Sequence, residues 1–270
     1  KQNPLYENEE FAYLDTHYYG GIKKYQWVTI PLAIHGVIVK KDGTVVNVNI
    51  GEKDEDPVFV ITDLLIHLAS KQMDKKAAGV VEGENLDLLI GSRPIEQDES
   101  LEKKEKEAVK ANVMNLLKEY YDVEEEDFIS AELEIVPAGK ARDCGFDRSI
   151  VLAYGQDDRV CAFTSLFAML DVEKTERTAC CILVDKEEIG SVGATGSRFF
   201  ENIVAELVAL TEGESDLKVR RALMNSTMLS SDVSAAYDPM YAEVFEKRSS
   251  AFFGKGLVFN KFTGSRGKSG

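Results

Sequence analysis

Ala179-Cys180-Cys181-Ile182-Leu183-Val184 is an unbroken apolar run that ends abruptly in Asp185-Lys186-Glu187-Glu188. A short apolar run bounded by charge reads as a strand buried on both faces, the kind a parallel sheet contains. Upstream, residues 149–153 (SIVLA) have the same character, and 160–170 between the two runs places Phe163, Phe167 and Leu170 on one side of a helix. Downstream, residues 197–210 (SRFFENIVAELVAL) repeat that helical spacing at Phe200, Ile203, Val204, Leu207 and Val208. Strand alternating with helix predicts an α/β layer built on a mixed, mainly parallel sheet flanked by helices.

Toward the N-terminus the pattern changes. Residues 30–39 (IPLAIHGVIV) and 44–50 (TVVNVNI) read as two strands around the turn Lys41-Asp42-Gly43. Val58 to Ile61 is a further short strand candidate, leading into a helix-like stretch through Leu64, Leu65 and Leu68. The charge run 97–107 (QDESLEKKEKE) continues as an amphipathic helix, with Ala108, Val109, Val113, Leu116, Leu117 and Tyr120 at helical spacing. Residues 128–136 (FISAELEIV) alternate as a half-buried strand does. The chain thus divides into a strand-rich part, residues 1–145, and an α/β part, residues 146–270.

The 270 residues are 44% hydrophobic and 29% charged, with a formal net charge of −15. That acidity argues against a nucleic-acid surface, which needs a basic stripe, and against anionic membranes. The first residues, Lys1-Gln2-Asn3-Pro4, contain neither an initiator Met nor the apolar stretch of a signal peptide. Cys161, Cys180 and Cys181 lie in apolar runs, and none of the four cysteines has zinc-ribbon spacing. Buried free thiols in a reducing cytoplasm are the expectation.

In open α/β sheets ligands collect beyond the carboxyl ends of the strands. Three such ends here deliver acids: Asp157-Asp158 after the strand at 149–153, Asp185 to Glu188 after 179–184, and Asp232 after the apolar segment 224–229. Gathered carboxylates raise one another's pKa unless a cation offsets them, so a divalent metal pair is the economical reading. Such a pair ionises a bound water near neutral pH, and an unligated carboxylate beside it then moves the proton. Equally, acids at strand ends are often solvated loop residues, and adjacent glutamates are unremarkable in a chain with 47 acids.

Three segments carry a resemblance: YGQDDRVCAFTSL (154–166), LVDKEEIGSVGATGS (183–197) and SSDVSAAYDPMY (230–241). In order and spacing they are similar to successive motifs of the aspartyl aminopeptidase and vacuolar aminopeptidase I family of dinuclear zinc metallopeptidases. KQNPLYENEE and THYYGGIKKYQW, within residues 1–27, resemble the stretch after that family's first metal motif. The resemblance implies a zinc-exopeptidase-like fold, with residues 1–145 as an inserted dimerisation domain and 146–270 as part of the catalytic domain, incomplete at both ends. It implies two divalent metal ions, zinc with cobalt or manganese as alternatives, with Asp157 bridging both, Glu188 on one and Asp232 on the other. Glu187 would be the catalytic general base. Substrates would be peptides with a free N-terminus, and the assembly a homo-oligomer built from dimers, a tetrahedral dodecamer. The family's two histidine ligands would fall before Lys1 and after Gly270. His17, His35 and His67 match no ligand motif, and His35 and His67 read as packed core residues.

Other readings stand beside this one. A non-catalytic relative serving as an assembly subunit would share the fold, as would another two-metal amidohydrolase or deacylase. A nucleotide-binding protein is disfavoured: Gly267-Lys268-Ser269 lacks the required glycine five positions before Gly267, where Phe262 stands.

Overall fold

A tight turn organises the first part of the chain. Lys40 O accepts from Gly43 N (2.9 Å) and Lys40 N donates to Thr44 O (2.8 Å), closing a hairpin between the third and fourth strands. The structure, a computed structural model, describes residues 3–97, 105–186, 198–259, 261–262 and 268–269. It divides into two compact units, residues 1–154 and 155–270.

In the first unit, β1 (Leu5–Asn8), β2 (Phe11–Leu14) and β5 (Leu88–Gly91) form one antiparallel sheet in the order β1-β2-β5. β3 (Leu32–Val39), β4 (Val45–Ile50) and β6 (Ala131–Pro137) form a second, in the order β4-β3-β6. Residues 58–61 tie the two sheets together. Phe59 and Leu32 exchange backbone hydrogen bonds of 2.9 Å each, and Leu89 N donates to Val60 O at 2.9 Å. Beyond them, α1 is a single turn, Ser70–Met73. The expected helix through Leu64, Leu65 and Leu68 is a turn instead, with those leucines exposed. Asp63 Oδ1 accepts from Leu64 N and from Gln72 Nε2, and this local competition favours a turn over a helix.

α2 (Ala108–Tyr121) follows the predicted periodicity and buries Val109 and Val113. It ends at Asp122, in the left-handed conformation (φ 53°), whose N–H donates to Leu117 O and Lys118 O. Residues 125–130 form a 3₁₀ turn that takes 128–130 out of the strand expected over 128–136, so β6 begins only at Ala131. Glu124 and Asp127 explain the difference: they cap the turn reciprocally, each side chain accepting from the other's backbone N–H. Leu32, Leu88 and Val123 are the most deeply buried large side chains of a continuous core that runs from Leu5 to Phe128. β7 (Arg142–Cys144) and β8 (Ile150–Leu152) form a short antiparallel hairpin that closes this unit.

The second unit holds α3 (Gln156–Leu170), α4 (Phe199–Glu212) and α5 (Asp216–Met224). Helices and sheets are both present, as expected, but the ladders between named strands are antiparallel. Parallel pairing among the described residues is confined to the bridge between Ala236 and Ala251. Residues 179–184 join no strand, and Leu183 is 53% exposed. Among the described residues β8 forms its ladder with β7, and Leu152 is 65% exposed. A continuous apolar run becomes a buried strand only when neighbours cover both faces, and among the described residues these two runs have no such cover.

Other expectations change for the same reason. Cys180 is exposed, while Cys144, Cys161 and Cys181 are half-buried; all are free thiols. His67 is exposed and His35 half-buried. His35 Nε2 lies 2.9 Å from Glu52 Oε1, but the approach does not meet hydrogen-bond geometry. Among the described residues no helix is long and apolar enough to cross a membrane.

Candidate metal centre

Gly155 sets the entry to α3. It adopts a left-handed conformation (φ 71°), and a Cβ there would meet Arg159 Nη1 at 2.9 Å. The chain can therefore turn at this point and start the helix directly, with Arg159 N donating to Gly155 O at 3.3 Å. Asp157 and Asp158 fall in the first turn, where the helix dipole favours negative charge. Both depart from helical geometry (Asp157 φ −86°, ψ 114°; Asp158 φ −114°, ψ 27°), and the peptide bond between them is cis. The expected helix at 160–170 thus begins earlier and carries a kink at the very acid predicted to bridge the metals.

Asp232 lies in an irregular segment after α5 and is exposed; its Oδ1 accepts from Val233 N at 2.7 Å. The segment that follows is pinned at its far end. Tyr237 N donates to Ala251 O (2.7 Å), and the Tyr237 ring packs against Phe245 (centroids 5.6 Å apart) and Phe252 (5.4 Å). Asp238 caps the following 3₁₀ turn, accepting from Met240 N at 2.9 Å. Glu187 and Glu188, the expected base and third ligand, lie outside the described residues.

The donor chemistry of what is described suits a divalent cation. Asp157 and Asp232 offer exposed anionic oxygens at the start of a helix and in a loop, and carboxylates are accepted zinc ligands. Among the described residues no group of three or more His, Cys, Asp or Glu side chains could hold a metal ion. The three histidines all belong to the first unit. A shallow hollow of about 530 Å³ beside Arg142, Asp143, Phe146 and Arg148 contains none of the predicted site residues.

Residues 1–269 match the family model described as aminopeptidase I zinc metalloprotease (M18). A probable M18 family aminopeptidase of Clostridium acetobutylicum is 65% identical over the whole of this chain, which covers 57% of that relative. The crystal structure of aminopeptidase I from the same organism matches with a TM-score of 0.86 at 63% identity, over 100% of this chain and 57% of that one. An M18 aminopeptidase structure from Thermotoga maritima matches with a TM-score of 0.83 at 45% identity, over 93% of this chain and 55% of that one. The chain therefore spans somewhat under three-fifths of the length of these relatives.

Proposed function

The chain belongs to the M18 family of zinc metalloproteases, typified by aminopeptidase I, and on that premise we propose that it forms the middle portion of a metal-dependent aminopeptidase. The observation that carries the proposal is a family match running from residue 1 to residue 269, with the four acids Asp157, Glu187, Glu188 and Asp232 all present within it.

Asp157 would hold both ions of a metal pair, Glu188 one of them and Asp232 the other. When bound, such a pair supplies Lewis acidity, polarising the scissile carbonyl and lowering the pKa of a water. The rest is the work of side chains. Glu187 takes the proton of the attacking water and delivers it to the departing amine, a general acid–base role worth roughly 10²–10⁴-fold in rate. The kinked start of α3 supports the bridging assignment, because it holds the Asp157 carboxylate out of the regular helical path.

Residues 1–145 are read as the inserted dimerisation domain and 146–270 as part of the catalytic domain, whose sheet is mainly parallel once its remaining strands are in place. Peptides with a free N-terminus are the substrates, a homo-oligomer built from dimers is the assembly, and the cytoplasm is the compartment. The test is metal analysis joined to an aminoacyl-anilide assay on the polypeptide extended to the length of its relatives. Two equivalents of divalent metal with metal-dependent release of the anilide are expected. Hydrolysis that survives complete metal removal would overturn the reading.

A further inference from the structure

We propose that Arg159 is a positioning residue for Asp157, folding its guanidinium back over Gly155 and so closing the short loop on which that carboxylate stands. This deepens the metallopeptidase reading, in which Asp157 holds both metal ions, and rests on it.

Asp157 is the midpoint of the segment Gly155-Gln156-Asp157-Asp158-Arg159. Helical geometry is interrupted at Asp157 and Asp158, so the regular ladder of α3 does not fix this carboxylate. Two ties join the ends of the segment. One is the backbone bond from Arg159 N to Gly155 O, at 3.3 Å longer than most N–H···O bonds. The other is the side chain of Arg159. A Cβ built on Gly155 would lie 2.9 Å from Nη1, 3.1 Å from Cζ and 3.5 Å from Nε of that arginine. Three atoms of one guanidinium therefore fill the space where a side chain at 155 would stand.

This placement makes sense of the helix start. An N-cap residue commonly holds the first turn with a side-chain oxygen, but Gly155 occupies that position in α3 and has none to offer. The glycine supplies the left-handed turn and an open face, and the arginine supplies a rigid plane broad enough to cover it. Groups that orient a metal ligand from behind restrict it before the ion arrives. Their loss costs roughly 10–100-fold in metal affinity.

A role through charge alone predicts the opposite sign. A cation beside anionic ligands opposes the metal electrostatically, so its removal would tighten metal binding. Removal of a clamp loosens the loop and weakens binding.

The test uses Arg159→Lys and Arg159→Met in the polypeptide of the relatives' length, with zinc affinity measured by competition against a chromophoric chelator. Lysine keeps the charge but lacks the plane, and methionine lacks both. Each should weaken zinc binding roughly tenfold or more and alter the visible absorption of the cobalt-loaded protein. Arg159 is exposed, so the metal-free form should unfold at an unchanged temperature. A lysine variant that binds zinc like the unaltered protein, or a methionine variant that binds it more tightly, would overturn the clamp and leave the metallopeptidase reading standing. Weaker binding accompanied by a lower unfolding temperature would make Arg159 a general stabiliser and overturn it too. An unaltered polypeptide that binds no zinc would overturn both.

Discussion

Gly36 in β3 lies against the backbone of Glu132 in β6 so closely that a Cβ on Gly36 would sit 2.0 Å from the Glu132 carbonyl oxygen. Its φ of +144° is itself one that side chains rarely adopt. Gly36→Ala therefore combines backbone strain with a clash against an immobile group. A loss of at least about 3 kcal/mol is expected, read from urea unfolding of the first unit. Trp27, the single tryptophan of the chain, packs against that unit's core and supplies the fluorescence signal.

Leu88→Ala should cost about 2–5 kcal/mol by the same measurement, because the side chain is fully enclosed and its removal leaves a cavity. Leu68→Ala should stay within about 0.5 kcal/mol, since Leu68 is 67% exposed. Equal losses at the two positions would contradict the placement of the core.

Asp122 has its carboxyl held down at about 2, below the usual 3.8, first by its hydrogen bond from Lys118 and then by that from Lys40. A depressed carboxylate contributes stability that is present above its unfolded-state pKa, near 4, and is lost as pH falls through the folded value. Asp122→Asn, which tolerates the left-handed conformation, should flatten the fall of the urea midpoint between pH 4 and 2. Above pH 5 the slope of stability against pH should be unchanged.

Glu187→Gln, in the polypeptide of the relatives' length, should lower aminoacyl-anilide turnover roughly 10²–10⁴-fold with metal content intact. Asp157→Asn should instead lower metal content. Unchanged turnover in the glutamine variant would remove Glu187 from the proton-transfer role.

Local pattern sufficed where local rules decide. The hairpin at 40–44 and the helix at 108–121 follow from turn chemistry and periodicity. It failed where a short side chain competes with the backbone, as Asp63 does before Leu64 and as Glu124 and Asp127 do before Phe128. It failed again at 179–184, because an apolar run names its own preference but not the strands that would flank it. For the candidate metal centre, spacing alone pointed to acids at strand ends. The roles of Asp157, Glu187, Glu188 and Asp232 came from resemblance, since a carboxylate's neighbours in space are not written in its neighbours in sequence.

The apolar faces of α3 and α4 leave Phe163, Leu170, Phe199 and Leu210 in contact with solvent, on a chain that carries fifteen excess negative charges. Colloidal behaviour then depends on the buffer. At low ionic strength mutual repulsion holds copies apart, but near 1 M salt the screening length shrinks to about 3 Å and that barrier vanishes. Excluded salts such as sulfate strengthen apolar adhesion at the same time. Purification in ammonium sulfate should therefore aggregate this polypeptide, whereas dilute buffer above its isoelectric point should keep it dispersed.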